Sequence, residues 1–112
     1  MKNLDVKLYK MKIKEGKEDL ARKWIQFIVD NKEEAQLTLE AENTYLESYF
    51  LNVEDGNMFI YLFMASDDTE YANMIAGNSK DDIHLKFFDY SNKCVDREYC
   101  EIINCDFYIN NF

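Results

Sequence analysis

The chain contains no proline and only three glycines among its 112 residues. Proline-kinked helices, stiff proline spacers and glycine-rich flexible linkers are therefore excluded, and regular elements must meet through short connections. There is one histidine, His84, and one tryptophan, Trp24, so no multi-histidine metal centre can be built. The three cysteines, Cys94, Cys100 and Cys105, lack CxxC spacing; a disulfide framework or zinc knuckle does not fit an odd, unmatched set, and reduced buried thiols are expected instead. The longest apolar run, Met58 to Ala65, is too short to span a bilayer. No glycine-rich phosphate loop, Ser-His-Asp arrangement or calcium-loop spacing is present, and neither a metal nor a cofactor is expected.

What the chain does have is acid and apolar mass. Thirteen Lys and Arg against 22 Asp and Glu leave a net charge of −9, which repels nucleic-acid phosphates and anionic lipid and disfavours either as a partner. The N-terminus lacks the basic-then-apolar pattern of a signal peptide, so a cytoplasmic location is expected. Hydrophobic residues make up 47% and aromatics 15%, enough for one domain over residues 1–112 that buries about two-thirds of its unfolded surface.

Leu4 to Ile13 reads as a strand whose apolar phase slips at Leu8-Tyr9, through a bulge or through cover on both faces. Lys17 to about Asp30 is helical, with Leu20, Trp24, Phe27 and Ile28 as a stripe widened by Ala21 and Ile25. Asn31-Lys32-Glu33-Glu34 has capping-box form and restarts or bends the helix, which continues to about Ala41. Tyr45 to Ser66 forms two strands around Glu54-Asp55-Gly56-Asn57, because Asp-Gly between strand-like runs favours a type I′ hairpin turn. Ser66 to Thr69 offers N-caps for a short helix ending near Gly77. A helix from about Asp82 ends before Asp96, and alternation from Tyr99 to Ile109 predicts the last strand.

The resulting order, β-α-β-β-α-β with a central hairpin, is an α+β, ferredoxin-like split βαβ arrangement: a four-stranded antiparallel sheet, order 4-1-3-2, with helices on one face. A two-residue turn at Asp55-Gly56 pairs Val53 with Met58, Leu51 with Ile60, Tyr49 with Leu62 and Glu47 with Met64. The opposite face then pairs Phe50 with Tyr61 and Ser48 with Phe63. The third strand is apolar on both faces, whereas a one-sided sheet alternates apolar with polar. Each covered large side chain is worth about 1.5–3 kcal/mol, so sheet-to-sheet homodimerisation into a barrel-like core is expected.

Lys12 to Glu18, Leu37 to Glu40, Tyr45 to Ser48, and His84-Leu85 with Phe87-Phe88 resemble the dimeric α/β-barrel superfamily, and within it a family of small uncharacterised bacterial domains. The resemblance implies the same fold and brings no activity. Antibiotic-biosynthesis monooxygenases, haem-degrading monooxygenases and stress-induced barrel proteins share that fold, which does not carry function with it. Haem-degrading members pair Asn on the first strand with Trp and His on the second-half helix; Trp24 lies in the first helix here.

His84 is the one side chain whose unperturbed pKa suits proton transfer near neutrality. Alternatively it is a boundary histidine hydrogen-bonded to the backbone. Glu47, between Tyr45 and Tyr49, has a raised pKa if buried and could act as a base or recognise a polar ligand; alternatively it is solvated at the sheet edge or paired with a lysine across a dimer. Tyr45, Tyr49, Tyr61 and Trp24 could line a pocket for a small hydrophobic ligand, or be ordinary core. The acidic stretches at Glu33-Glu34, Glu40-Ala41-Glu42 and Asp67-Asp68 read as solvated faces and helix caps. Two functions are open. A dimeric binding or structural module predicts filled space around His84. A cofactor-independent monooxygenase or isomerase acting on a hydrophobic aromatic substrate requires a cavity reaching both His84 and Glu47.

Overall fold

A computed structural model describes residues 3–111. In chain order the elements are β1 (Asp5–Ile13), α1 (Glu18–Asp30), α2 (Lys32–Ala41), β2 (Thr44–Glu54), β3 (Asn57–Ser66), α3 (Thr69–Asn78), α4 (Asp82–Cys94) and β4 (Val95–Asn104). The strands form one antiparallel sheet in the order β2-β3-β1-β4, so β1 and β3 are central.

The hairpin turn forms at the Asp-Gly pair: Asp55 has φ 52° and Gly56 φ 79°, the two positive values that a type I′ turn needs. The register that follows pairs Val53 with Met58, Tyr49 with Leu62 and Glu47 with Met64. Since side chains alternate along a strand, this register and that of β1 put Tyr9, Met11, Ile13, Met58, Ile60, Leu62, Met64, Glu47 and Tyr49 on one face. That face meets the helices. Ala21 and Trp24 of α1 and Cys94 at the end of α4 pack with Ile13, Met58, Ile60 and Val95 in the core, and Asn73 of α3 reaches the Tyr9 hydroxyl at 3.2 Å.

β1 runs past Leu8-Tyr9 without a break in its pairing to β3, so no bulge lies there; Leu8 and Tyr9 are half-buried on opposite faces of the sheet. The irregularity lies on the β4 side instead. Met11 opposes Cys100 while Lys12 opposes Asp96, which leaves Arg97, Glu98 and Tyr99 as a bulge, with the Lys12 ammonium 4.5 Å from the Tyr99 ring centre.

Local signals misled at three points. The helix does restart after Asn31, with Ala35 N–H on the Asn31 carbonyl at 2.9 Å, but without the expected side-chain cap: the Asn31 amide donates back to the Phe27 carbonyl at 2.8 Å, and φ −116° at Asn31 separates the two helices. The last strand spans Val95–Asn104 rather than Tyr99 to Ile109, because β1 has little backbone left to pair: Lys7 opposes Asn104, and Cys105 N–H meets the Val6 carbonyl at 3.4 Å. Of the three free cysteines only Cys94 is buried; Cys100 and Cys105 are exposed, since edge strand and tail give them no cover.

α3 starts as its sequence implies, with the Asp68 carboxylate accepting from Tyr71 N–H at 3.1 Å. A second brace comes from across the fold, where Asp5 of β1 accepts from both the backbone N–H (2.8 Å) and hydroxyl (2.7 Å) of Thr69. No described helix is long and apolar enough to cross a membrane.

The turn can be tested directly. Replacing Gly56 by Val puts a β-branched residue at φ 79° and is expected to cost at least about 1–2 kcal/mol in urea denaturation. Gly77 is helical and has open space where a Cβ would stand, so its replacement by Ala is expected to add about 0.5–1 kcal/mol of stability in the same measurement.

Candidate functional site

At the open end of β2, the helix-covered face carries Glu47 and Tyr49, and the Tyr49 hydroxyl donates to Glu47 Oε1 at 2.9 Å. Above them α4 brings His84, whose side chain is 12% exposed. Glu42 enters from the C-terminal end of α2: Asn43 takes φ 52°, a left-handed step that turns the chain from helix into β2. Glu42 Oε2 lies 3.7 Å from His84 Nε2, an ion-pair separation too long for a hydrogen bond. Both ring nitrogens of His84 are buried with no hydrogen-bond partner among the described residues.

The electrostatics follow from enclosure. Burial pushes the Glu47 carboxyl above its ordinary range, and the negative charge of Glu42 adds to this, while the Tyr49 hydrogen bond and His84 pull the other way. Burial likewise raises Glu42, partly offset by the polar Thr38 side chain. Tyr49 is pushed well above the usual phenol range by burial and then by the Glu47 charge, so it donates its hydrogen bond and keeps its proton. The group therefore holds two carboxyls that resist ionisation beside an imidazole, an arrangement suited to holding or passing a proton.

An aromatic wall adjoins this group. The Phe87 ring makes edge contacts with Tyr49 at 6.4 Å and with Trp24 at 5.2 Å between ring centres. Four of the residues expected at a site, His84, Glu47, Tyr49 and Trp24, thus lie on the helix-covered side. Tyr61 does not join them: it is on the opposite sheet face, where its hydroxyl donates to Glu54, and the hairpin register by itself already separates it from Tyr49. Tyr45 also stands apart. A register shift between Thr44 and Leu46 carries it outward, and its hydroxyl donates to Asp67 Oδ1 at 2.7 Å.

Glu42, assigned by its charge to a solvated acidic stretch, is only 5% exposed. The signal for its burial lies in helical spacing. Ala35, Leu39 and Glu42 stand at i, i+4 and i+7, and the first two are half-buried, so Glu42 continues the inward stripe. Glu47 is half-buried, and among the described residues His84 makes no backbone hydrogen bond.

Two clefts stand out on the described surface. The larger, about 780 Å³, runs between α2 and the start of β2 and is lined by Glu33, Gln36, Leu37, Leu39, Glu40, Asn43, Thr44 and Tyr45. The smaller, about 280 Å³, lies between the start of β1 and the chain after β4. Neither is lined by His84, Glu47 or Trp24. Among the described residues no group of three or more His, Cys, Asp or Glu side chains is arranged to hold a metal ion.

The model of a family of unknown function, DUF6176, matches residues 4–107. The chain belongs to this family. No curated protein and no solved structure matches it. The stretch shared with the DUF6176 family contains all of Glu42, Glu47, Tyr49 and His84 and both walls of the larger cleft.

The raised carboxyls give a signed pH dependence. A folded-state pKa above the unfolded value contributes stability that is complete below the unfolded value, 4.5 for Glu47, and is lost as pH rises through the folded one. Replacing Glu47 by Gln is expected to leave stability near wild type at about pH 4 and to raise it relative to wild type progressively toward pH 7. Urea denaturation of both proteins across that range measures the difference, and a gap that stays flat with pH refutes it.

Proposed function

We propose that this chain is a ferredoxin-like domain that pairs with a second copy through its uncovered sheet face, as a dimeric α/β barrel, and serves as a small-molecule-binding module. The observation that carries the binding role is the cleft of about 780 Å³ between α2 and β2, a size within the usual range for ligand pockets. Leu37, Leu39 and Tyr45 give it an apolar lining for a hydrophobic ligand body, and Gln36, Asn43 and Thr44 supply hydrogen-bonding groups to orient it.

The uncovered face supports the pairing. Leu46, Phe50 and Ile103 are exposed on it, Phe50 at 56%, around half-buried Leu8, Phe59, Tyr61 and Phe63. Its charges balance, with Lys10 beside Glu54 at 3.8 Å and opposite Glu101 in the register. Four strands of nine to eleven residues cover about 19 by 33 Å, or about 600 Å² in plan, comparable to the roughly 800 Å² per partner of a standard interface.

The second reading is a cofactor-independent isomerase or monooxygenase acting on a hydrophobic aromatic compound. It is favoured by the Glu42-Glu47-His84 group and the adjoining rings of Phe87 and Trp24, with Glu47 and His84 handling the proton. A ligand there would have to enter by displacement of side chains, since neither cleft reaches these residues.

Titration with 2-naphthol, followed by amide chemical shifts, separates the readings. Shifts centred on Leu37, Asn43 and Tyr45, with affinity falling about tenfold in Tyr45→Ala, are expected; shifts centred on Trp24 and His84 favour the second reading and overturn the first. In light scattering the wild type is expected at the mass of two chains and Phe50→Glu at the mass of one. A monomeric wild type overturns the barrel.

A further inference from the structure

The lining of the α2–β2 cleft has charge of one sign. It includes the carboxylates of Glu33 and Glu40 and, among the described residues, no Lys, Arg or His. Glu33, Leu37 and Glu40 stand at i, i+4 and i+7 on one stripe of α2, so the two acids lie about 10 Å apart along the helix axis with an apolar side chain between them. Leu37 is 69% exposed, more than any other large apolar side chain on a described helix. Among the described residues no ion pair holds either carboxylate.

Glu40 is also placed against its own helix. Glu33 stands in the first turn of α2, where the helix dipole favours an acid, but Glu40 stands in the last turn, which carries no basic residue. There its charge adds to the partial negative charge of the terminal carbonyls. A local rule broken without a compensating contact inside the fold points to a partner outside it. This end of α2 faces the cleft, since Glu40, Asn43 and Thr44 all line it. Thr44 is 6% exposed and gives the cleft an enclosed floor here, while Asn43 and Gln36 add side-chain carbonyl acceptors.

We propose that the cleft takes an organic amine, cationic at neutral pH, whose ammonium group is held at the C-terminal end of α2 by Glu40 with Asn43. Its apolar body lies along Leu37, Leu39 and Tyr45. The proposal rests on the reading of this cleft as a binding site and names the class of ligand it takes. An ammonium group has three donors and no acceptor, which suits carboxylate and amide oxygens, and it offsets the charge that Glu40 and the helix end concentrate. A ligand bearing a carboxylate or phosphate meets repulsion from both acids, from the helix end and from a chain of net charge −9.

Titrations of the full chain with 2-naphthylmethylamine, 2-naphthylmethanol and 2-naphthoate at about pH 7, followed by amide chemical shifts, compare one ring system carrying a positive, neutral or negative group. The amine is expected to shift Leu37, Glu40, Asn43 and Tyr45 with an affinity at least about fivefold above the alcohol, and the naphthoate to bind weakest. That preference is expected to fall below about twofold in Glu40→Gln. It persists in Glu34→Gln, which removes the same charge from an exposed residue outside the cleft. Glu40→Gln also relieves the clash with the helix end, so its urea midpoint is expected at or above that of wild type, and lost binding is not lost folding. Amine and alcohol bound in the cleft with equal affinity leave the binding module standing and overturn the amine. An equal loss in Glu34→Gln reports attraction to net charge alone and overturns it too. If none of the three compounds shifts the cleft residues, the amine and the binding module fall together.

Discussion

The register of the β2–β3 hairpin is the constraint on which the rest depends. Because side chains alternate strictly along a strand, a slip of one residue would invert both faces. It would put Glu47 and Tyr49 in the open and Phe50 and Ser48 beneath the helices. The turn at Asp55-Gly56 prevents this with two left-handed residues, and β3 then transmits the setting to β1, whose Met11 faces Ile60 and whose Lys7 faces Met64. Core, polar group and uncovered face are all consequences of that one alignment.

The polar group illustrates how a small fold carries charge inside. Two carboxyls are enclosed near one imidazole, and burial raises both, so the folded state favours their neutral forms. Tyr49 donates to Glu47 without giving up its proton. The region lies where a helix end, an edge strand and α4 converge, and the α2–β2 cleft opens beside it, lined by the residues that flank Glu42 on either side. A ligand in the cleft would thus be joined to the enclosed group by a short stretch of backbone from Leu39 to Thr44.

Much of this was legible in the chain because it rests on short-range chemistry. Asp-Gly has few conformations that suit a hairpin, and the paired residues follow from the turn by counting outward. The stripe of Leu20, Ala21, Trp24 and Ile28 pointed inward for the same kind of reason. Glu42 was not legible as a buried residue while it was read by charge rather than by position on its helix. The end of β4 was not legible either, since alternation continues to Ile109 while the partner strand does not. Asn31 had the composition of a helix start, and α2 does begin after it, but its side-chain amide closes the preceding helix on the Phe27 carbonyl instead of capping the new one.

The sequence alone determined the order of elements, the turn and the two-sided apolar character of β3, since each depends on residues close together in the chain. Only the tertiary structure decided which face the helices cover, that Glu42 meets His84 across forty-two positions of sequence, and where β4 stops pairing. Those outcomes depend on which distant surfaces compete for burial and backbone partners. Local periodicity carries no information about that competition.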